Sequence, residues 1–202
     1  MVIVSDLKLI SAIISIASVV VGFYTYFRDI FKRKTAPHLY TWLIWGITQG
    51  TATVASWHGG GKFGAISLAA GTILVIAVFC ITIKYGTKNI TKGDAILLFV
   101  ALLAIIVWWR MDDPLIAVLM VTGIDAIGFI FTFRKSFAEP WSETLSFWAS
   151  MAMASVFLIV STAQYNFLTV TYAAMLLMGN ITVWMICFFR RRVVKEANLA
   201  PK

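Results

Sequence analysis

One carboxylate stands alone in an apolar stretch: Asp125, in VTGIDAIGF. A carboxylate at the centre of a bilayer costs about 2.5–3.5 kcal/mol on insertion scales, so it normally faces an internal cavity or a partner. Asp125 is therefore either a substrate contact or protonation site, or the acceptor of a structural hydrogen bond from a neighbouring helix. Thr48 and Gln49, in IWGITQG, bring a hydroxyl and an amide that either line the same cavity or pack between helices. Further charges flank the apolar stretches: Arg28 and Asp29, Arg134, and Glu139 and Glu143 around Pro140. Arg28 or Arg134 paired with Glu143 would make an electrostatic gate; the competing reading is basic side chains snorkelling to headgroup level.

Other chemistries lack their residues. Neither histidine lies deep in an apolar stretch, and no Ser/His or Asp/Asp pair has helical spacing, which argues against a hydrolase. The stretch 167–189 has no lysine for a retinal Schiff base. His38 follows Pro37 with no second histidine nearby, so a role at a helix start outweighs metal binding. Cys80 and Cys187 sit in apolar runs without a C-x-x-C pattern and read as small buried hydrophobes. The expectation is no metal, no cofactor and no enzyme activity.

These residues need elements to hold them, and the composition limits which. With 60% hydrophobic and 13% charged residues, the chain is far more apolar than a soluble domain. Stretches of roughly 20 apolar residues, the length that spans a bilayer as helix, fall at 9–27, 39–57, 63–83, 94–109, 114–133, 143–163 and 167–189. The fourth is the shortest and needs Trp108 and Trp109 as interfacial anchors. The first lacks an Ala-x-Ala pattern and has Asp6 beside Lys8 rather than a basic cluster before it, so it reads as a retained helix.

The net charge of +8 is unevenly placed. Alternate loops carry 14 of the 17 basic residues, including Arg28, Lys32, Arg33, Lys34, Lys84, Lys88, Lys92, Arg134, Lys135 and the tail Arg190 to Lys202. The positive-inside rule then puts the amino terminus outside and the carboxyl terminus in the cytoplasm of a multi-pass inner-membrane protein. Those basic loops suit anionic lipid headgroups rather than nucleic acid. The bilayer is the expected partner; a homo-oligomer stays open.

A pattern recurs. Pro37, Thr41 and Trp45 match Pro140, Thr144 and Trp148 at 103 residues, and GFYTYFR (22–28) matches GFIFTFR (128–134) at 106. Phe63 and Ala69-Ala70 match Phe167 and Ala173-Ala174 at 104. A duplicated unit follows: a triple-helix bundle over 1–90, a linker helix over 91–112, and a second bundle over 113–202 with a basic cytoplasmic tail. Three is odd, so the extra fourth span keeps the two triplets parallel. Pro37 reads as lying in the first turn of the second helix, with Trp42, Trp45, Trp141 and Trp148 as interfacial anchors.

A 3+1+3 chain with a basic loop between the first two helices of each repeat, and YTYFRDIFKRKT (24–35), distantly resembles the PQ-loop and SWEET transporter superfamily. Thr25-Tyr26 and Phe131-Thr132 stand where that superfamily has Pro-Gln hinges. The stretches RDIFKRKTAPHLYTWLIW (28–45) and TFRKSFAEPWSE (132–143) are similar to a closer group of small seven-helix bacterial membrane proteins. That likeness implies a family rather than an activity. The superfamily resemblance implies that Asn180, in LLMGNITVW, contacts substrate; interhelical hydrogen bonding is the alternative, and Ile76 at the matching first-repeat position breaks the superfamily's asparagine pair.

The expected activity is transport of a small molecule (sugar, amino acid or cationic metabolite) by alternating access between the repeats. The alternative is a non-transporting membrane partner or assembly factor. Whether Asp125 and Asn180 face one shared space separates them.

Overall fold

The computed structural model describes residues 2–35, 37, 39–86, 92–111 and 113–195. His38, Lys88 and Lys202, and the side chains of Trp108, Trp109 and Phe131, lie outside the described residues, so the roles expected of them have no structural counterpart here. Among the described residues there are seven α-helices and no strand: α1 (Val2–Phe31), α2 (Leu39–His58), α3 (Phe63–Tyr85), α4 (Lys92–Met111), α5 (Pro114–Ala138), α6 (Leu145–Ser161) and α7 (Phe167–Arg190). A 3₁₀ turn, Pro140–Ser142, precedes α6.

Local chemistry sets several of these ends. Asp113 caps α5 by accepting from the Leu115 N–H, with Pro114 at the first helical position where its missing N–H is harmless. Asn166 caps α7 by accepting from the Leu168 and Thr169 N–H groups, and Thr169 accepts in return from the Asn166 N–H. The recurrent Pro-Thr-Trp pattern does not fold twice in the same way. Pro37 lies two residues before α2 and Thr41 lies inside it, whereas Pro140 opens the 3₁₀ turn and Thr144 caps α6. The expectation that Pro37 lies in the first turn of the second helix is thus corrected, while at the second place Thr144, unlike Thr41, stays outside its helix. The cause at the second is visible: the Thr144 hydroxyl donates to Asp29 Oδ2 on α1 at 2.8 Å and is held outside the helix.

Four helices (α1, α3, α5 and α7) are long and apolar enough to cross a membrane; α6 is apolar but spans 17 residues. The distribution of polarity agrees. Outward-facing side chains include Ile10, Ile13, Val20, Ile73, Phe99, Ile127 and Met178, while Ser11, Ser15, Thr48, Ser67, Asp125, Ser155 and Asn180 are buried. Water favours the opposite arrangement, and a lipid surround favours this one. Most of the buried hydroxyls donate to the carbonyl four residues earlier, as Thr48 does to Ile44, Thr72 to Leu68 and Ser155 to Met151, so they need no outside partner.

The helices form a closed circuit of neighbours: α1 packs on α3, α3 on α2, α2 on α5, α5 on α7, α7 on α6, and α6 back on α1. The α1–α6 contact is the most extensive, and α4 packs outside the circuit against α5 and α2. Small residues permit the close approaches. A β-carbon on Gly22 of α1 would lie 2.6 Å from Met151 and 3.0 Å from Ser150 on α6, and one on Gly64 of α3 would lie 3.0 Å from the Thr162 backbone.

Candidate functional site: a central cavity

The six circuit helices surround a partly open cavity of about 80 Å³, and each contributes side chains to its wall. That space holds on the order of five water molecules. Its polar wall comprises Ser15 from α1, Gln49 from α2, Ser67 from α3, Asp125 from α5, Ser155 from α6, and Tyr172 and Asn180 from α7.

Asp125 is 1% exposed. Its Oδ2 accepts from the Tyr172 hydroxyl at 2.5 Å, whereas Oδ1 has no hydrogen-bond partner among the described residues. Thr48 stands beside both residues, and its hydroxyl lies within hydrogen-bond distance of the Ile44 and Trp45 carbonyls, at 3.0 and 3.3 Å. A buried acceptor left bare loses the hydration it had in water, commonly about 1–3 kcal/mol. Asn180 makes one long contact, Nδ2 to Ser155 Oγ at 3.4 Å, and Gln49 one of the same length from Nε2 to the Leu68 carbonyl. All three thus carry hydrogen-bonding capacity that the described residues do not fill.

Six aromatic side chains line the rest of the cavity and touch one another in a closed loop. Phe23 meets Trp42 (ring centroids 6.1 Å), Trp42 meets Trp45 (5.2 Å), and Trp45 meets Phe129 (6.3 Å). Phe129 meets Trp148 (6.3 Å), Trp148 meets Phe147 (5.2 Å), and Phe147 returns to Phe23 (5.4 Å). This annulus corrects the expectation for Trp42, Trp45 and Trp148: they turn inward to the cavity, Trp42 and Trp148 held edge-to-face by Phe23 and Phe129, and Trp45 edge-on to Trp42. Trp141 alone of the four lies away from it, donating from Nε1 to the Val194 carbonyl at 2.9 Å beneath the Arg191 guanidinium. The signal for the annulus lay in the repeat, since Phe23 with Phe129 and Trp45 with Trp148 are matched pairs. Tyr172 gave no comparable signal.

The bundle is tied at both ends. At the end where α1 begins, Lys8 donates from Nζ to the Thr162 and Ala163 carbonyls, Ala163 N–H donates to Gly61 O at 3.1 Å, and Asn166 Nδ2 donates to Gly59 O at 2.8 Å. At the opposite end Asp29 is buried, with Arg28 at 3.0 Å and Thr144 at 2.8 Å. Glu143 is buried too, pairing with Lys135 at 2.9 Å and accepting from Trp148 Nε1 at 3.1 Å. The expected pairing of Arg28 or Arg134 with Glu143 is not what forms. Lys135 lies one residue beyond exposed Arg134 and takes Glu143 in its place, while Arg28 turns to its own neighbour Asp29.

Asp125, Asn180 and Gln49 are therefore brought together on one cavity, Thr48 lies behind that wall, and Arg28, Asp29, Arg134 and Glu143 belong to the far end. Among the described residues no cluster of His, Cys, Asp or Glu has the makings of a metal site. No protein family, curated protein or solved structure matches the chain.

Proposed function

We propose that this protein is a multi-pass inner-membrane transporter of a small molecule, with the central cavity as its substrate site. One observation carries this reading: Asp125, Asn180 and Gln49, from three helices far apart in sequence, line a single central cavity with unfilled hydrogen-bonding capacity. A protein that only bound other membrane proteins would be expected to direct such groups into helix interfaces.

The reading extends to architecture. All seven helices cross the bilayer in a 3+1+3 arrangement of two parallel bundles, α1–α3 and α5–α7, with α4 as linker. Neighbour relations support it: α3 packs against both α1 and α2, α7 against both α5 and α6, and the reciprocal pairs α1–α6 and α2–α5 join the triplets. The paired glycines agree, with Gly22 set against α6 and Gly128 against Trp45 of α2. Parallel repeats of this kind commonly hold substrate near the bilayer midplane and rock about it, as the distant PQ-loop and SWEET resemblance also implies. The basic end, with Arg28, Asp29, Arg134 and Glu143, faces the cytoplasm and works as the gate on that side.

Uptake of labelled sugars, amino acids and polyamines into liposomes, with and without a pH gradient, tests the proposal. Wild-type protein is expected to give saturable uptake of one class, and Asp125→Asn to abolish it or uncouple it from pH. Absence of uptake by properly folded wild-type protein would favour the alternative, a non-transporting membrane partner.

A further inference from the structure

We infer that the cavity selects a small primary amine in its ammonium form. This rests on the cavity being a substrate site, and adds what the substrate is.

Charge comes first. Among the described residues Asp125 is the one formally charged side chain on the cavity wall, and no lysine, arginine or histidine reaches it. An anionic guest would meet the carboxylate with nothing to offset it, and a neutral guest would leave the carboxylate without a counter-charge in a region of low polarity. Hydrogen bonding narrows the choice. Tyr172 fills Oδ2, so Oδ1 is the open acceptor, and it needs an N–H or O–H from the guest. A quaternary ammonium carries charge but no such proton, whereas a primary ammonium supplies three.

The annulus supplies the second half of the recognition. Six aromatic side chains in mutual contact line the same space, and a cation near a ring face is attracted by the ring quadrupole, more strongly when water is excluded. Three of those rings are tryptophans, the strongest partners of this kind. The rings also form an apolar surface for a short alkyl tail. Size adds a lower bound: the volume admits a guest with on the order of five non-hydrogen atoms, and a longer tail would leave through the open side. Propylammonium meets all four requirements of charge, donor, tail and size.

Binding to purified protein in detergent at neutral pH tests the inference, read by calorimetry and by the change in total tryptophan fluorescence, to which Trp42, Trp45 and Trp148 on the cavity contribute. The probes are propylammonium, its neutral isostere 1-propanol, and tetramethylammonium. Propylammonium is expected to bind at least about tenfold more tightly than either of the others. Asp125→Asn should remove that preference, and Trp45→Leu should weaken propylammonium without restoring 1-propanol. Equal binding of 1-propanol and propylammonium, or absence of binding by either, overturns the inference; tetramethylammonium binding as tightly overturns the requirement for a donated proton. The comparison on wild type decides even where a variant fails to fold.

Failure here and failure of the transport reading are distinguishable. Asp125-dependent propylammonium binding without uptake into liposomes would refute transport and keep the selectivity. Uptake of some other solute by protein that ignores propylammonium would do the reverse.

Discussion

The Tyr172 hydroxyl has one proton, and it goes to Asp125. Tyr172→Phe would leave both carboxylate oxygens without a partner, so the variant is expected to lose about 1–3 kcal/mol of stability, measured by unfolding in mixed micelles. A variant as stable as wild type would show that the bond is not formed in the membrane-embedded protein. Gly179 matters through its smallness: a β-carbon there would lie 2.6 Å from the Phe129 ring. Gly179→Ala should push that ring towards the cavity and cost about 1–3 kcal/mol, with propylammonium binding weakened in parallel; unchanged stability and binding would contradict the packing described. At this scale the sequence was partly legible. Asp125 and Asn180 stood out because a polar group in an apolar run is expensive and demands a reason. Tyr172 did not, since a tyrosine in such a run is ordinary, and its role depends on which helix stands opposite. The gate residues were legible as charges but not as pairs, because the choice of Lys135 over Arg134 depends on the direction of each side chain at the end of α5.

Among the elements, the link between the α2–α3 and α6–α7 loops rests largely on Asn166, which caps α7 with its oxygen and donates to Gly59 with its nitrogen. Replacing it separates the two roles. Asn166→Ala should cost about 1–2 kcal/mol from the cap plus the lost bond to Gly59, while Asn166→Asp keeps the cap and should fall between that variant and wild type. Thermal unfolding of the three proteins gives the order, and an Asp variant no better than the Ala variant would mean that the cap contributes little. The helices themselves were legible as apolar runs, because charged, glycine and proline residues punctuate them. Their ends were less so. The apolar run 9–27 becomes a helix over Val2–Phe31, since hydropathy stops at Lys8 and Arg28 whereas hydrogen bonding continues past them. At about 1.5 Å per residue such a helix outreaches the roughly 30 Å bilayer core, and Lys8 meets the α6–α7 loop at one of its ends. The run 143–163 shortens to Leu145–Ser161, because Thr144 is held by Asp29.

For the molecule as a whole, sidedness is the most accessible test. A fluorescent protein fused after Lys202 is expected to fold in the cytoplasm and fluoresce, and alkaline phosphatase inserted after Gly60 to be exported and active; the opposite pattern would refute the assigned orientation. The partnership of α1 with α6 was not legible, since sequence periodicity says which face of a helix is apolar in part but not which helix covers it. The matched Phe and Trp pairs indicated duplication without showing that their rings would meet across the centre. The position of α4 has a mechanical consequence. It packs on α2 and α5, on one side of the circuit, and the broadest helix contact, α1 with α6, lies on the other. On the transport reading proposed above, the broader and more heavily bonded seam is the hinge of a book: α1 and α6 form the spine, and α2 and α5 the fore-edge, with α4 laid across it. In protein with Cys80 and Cys187 replaced, a disulfide engineered across the fore-edge should therefore arrest uptake, and one across the spine should leave the pages free to turn.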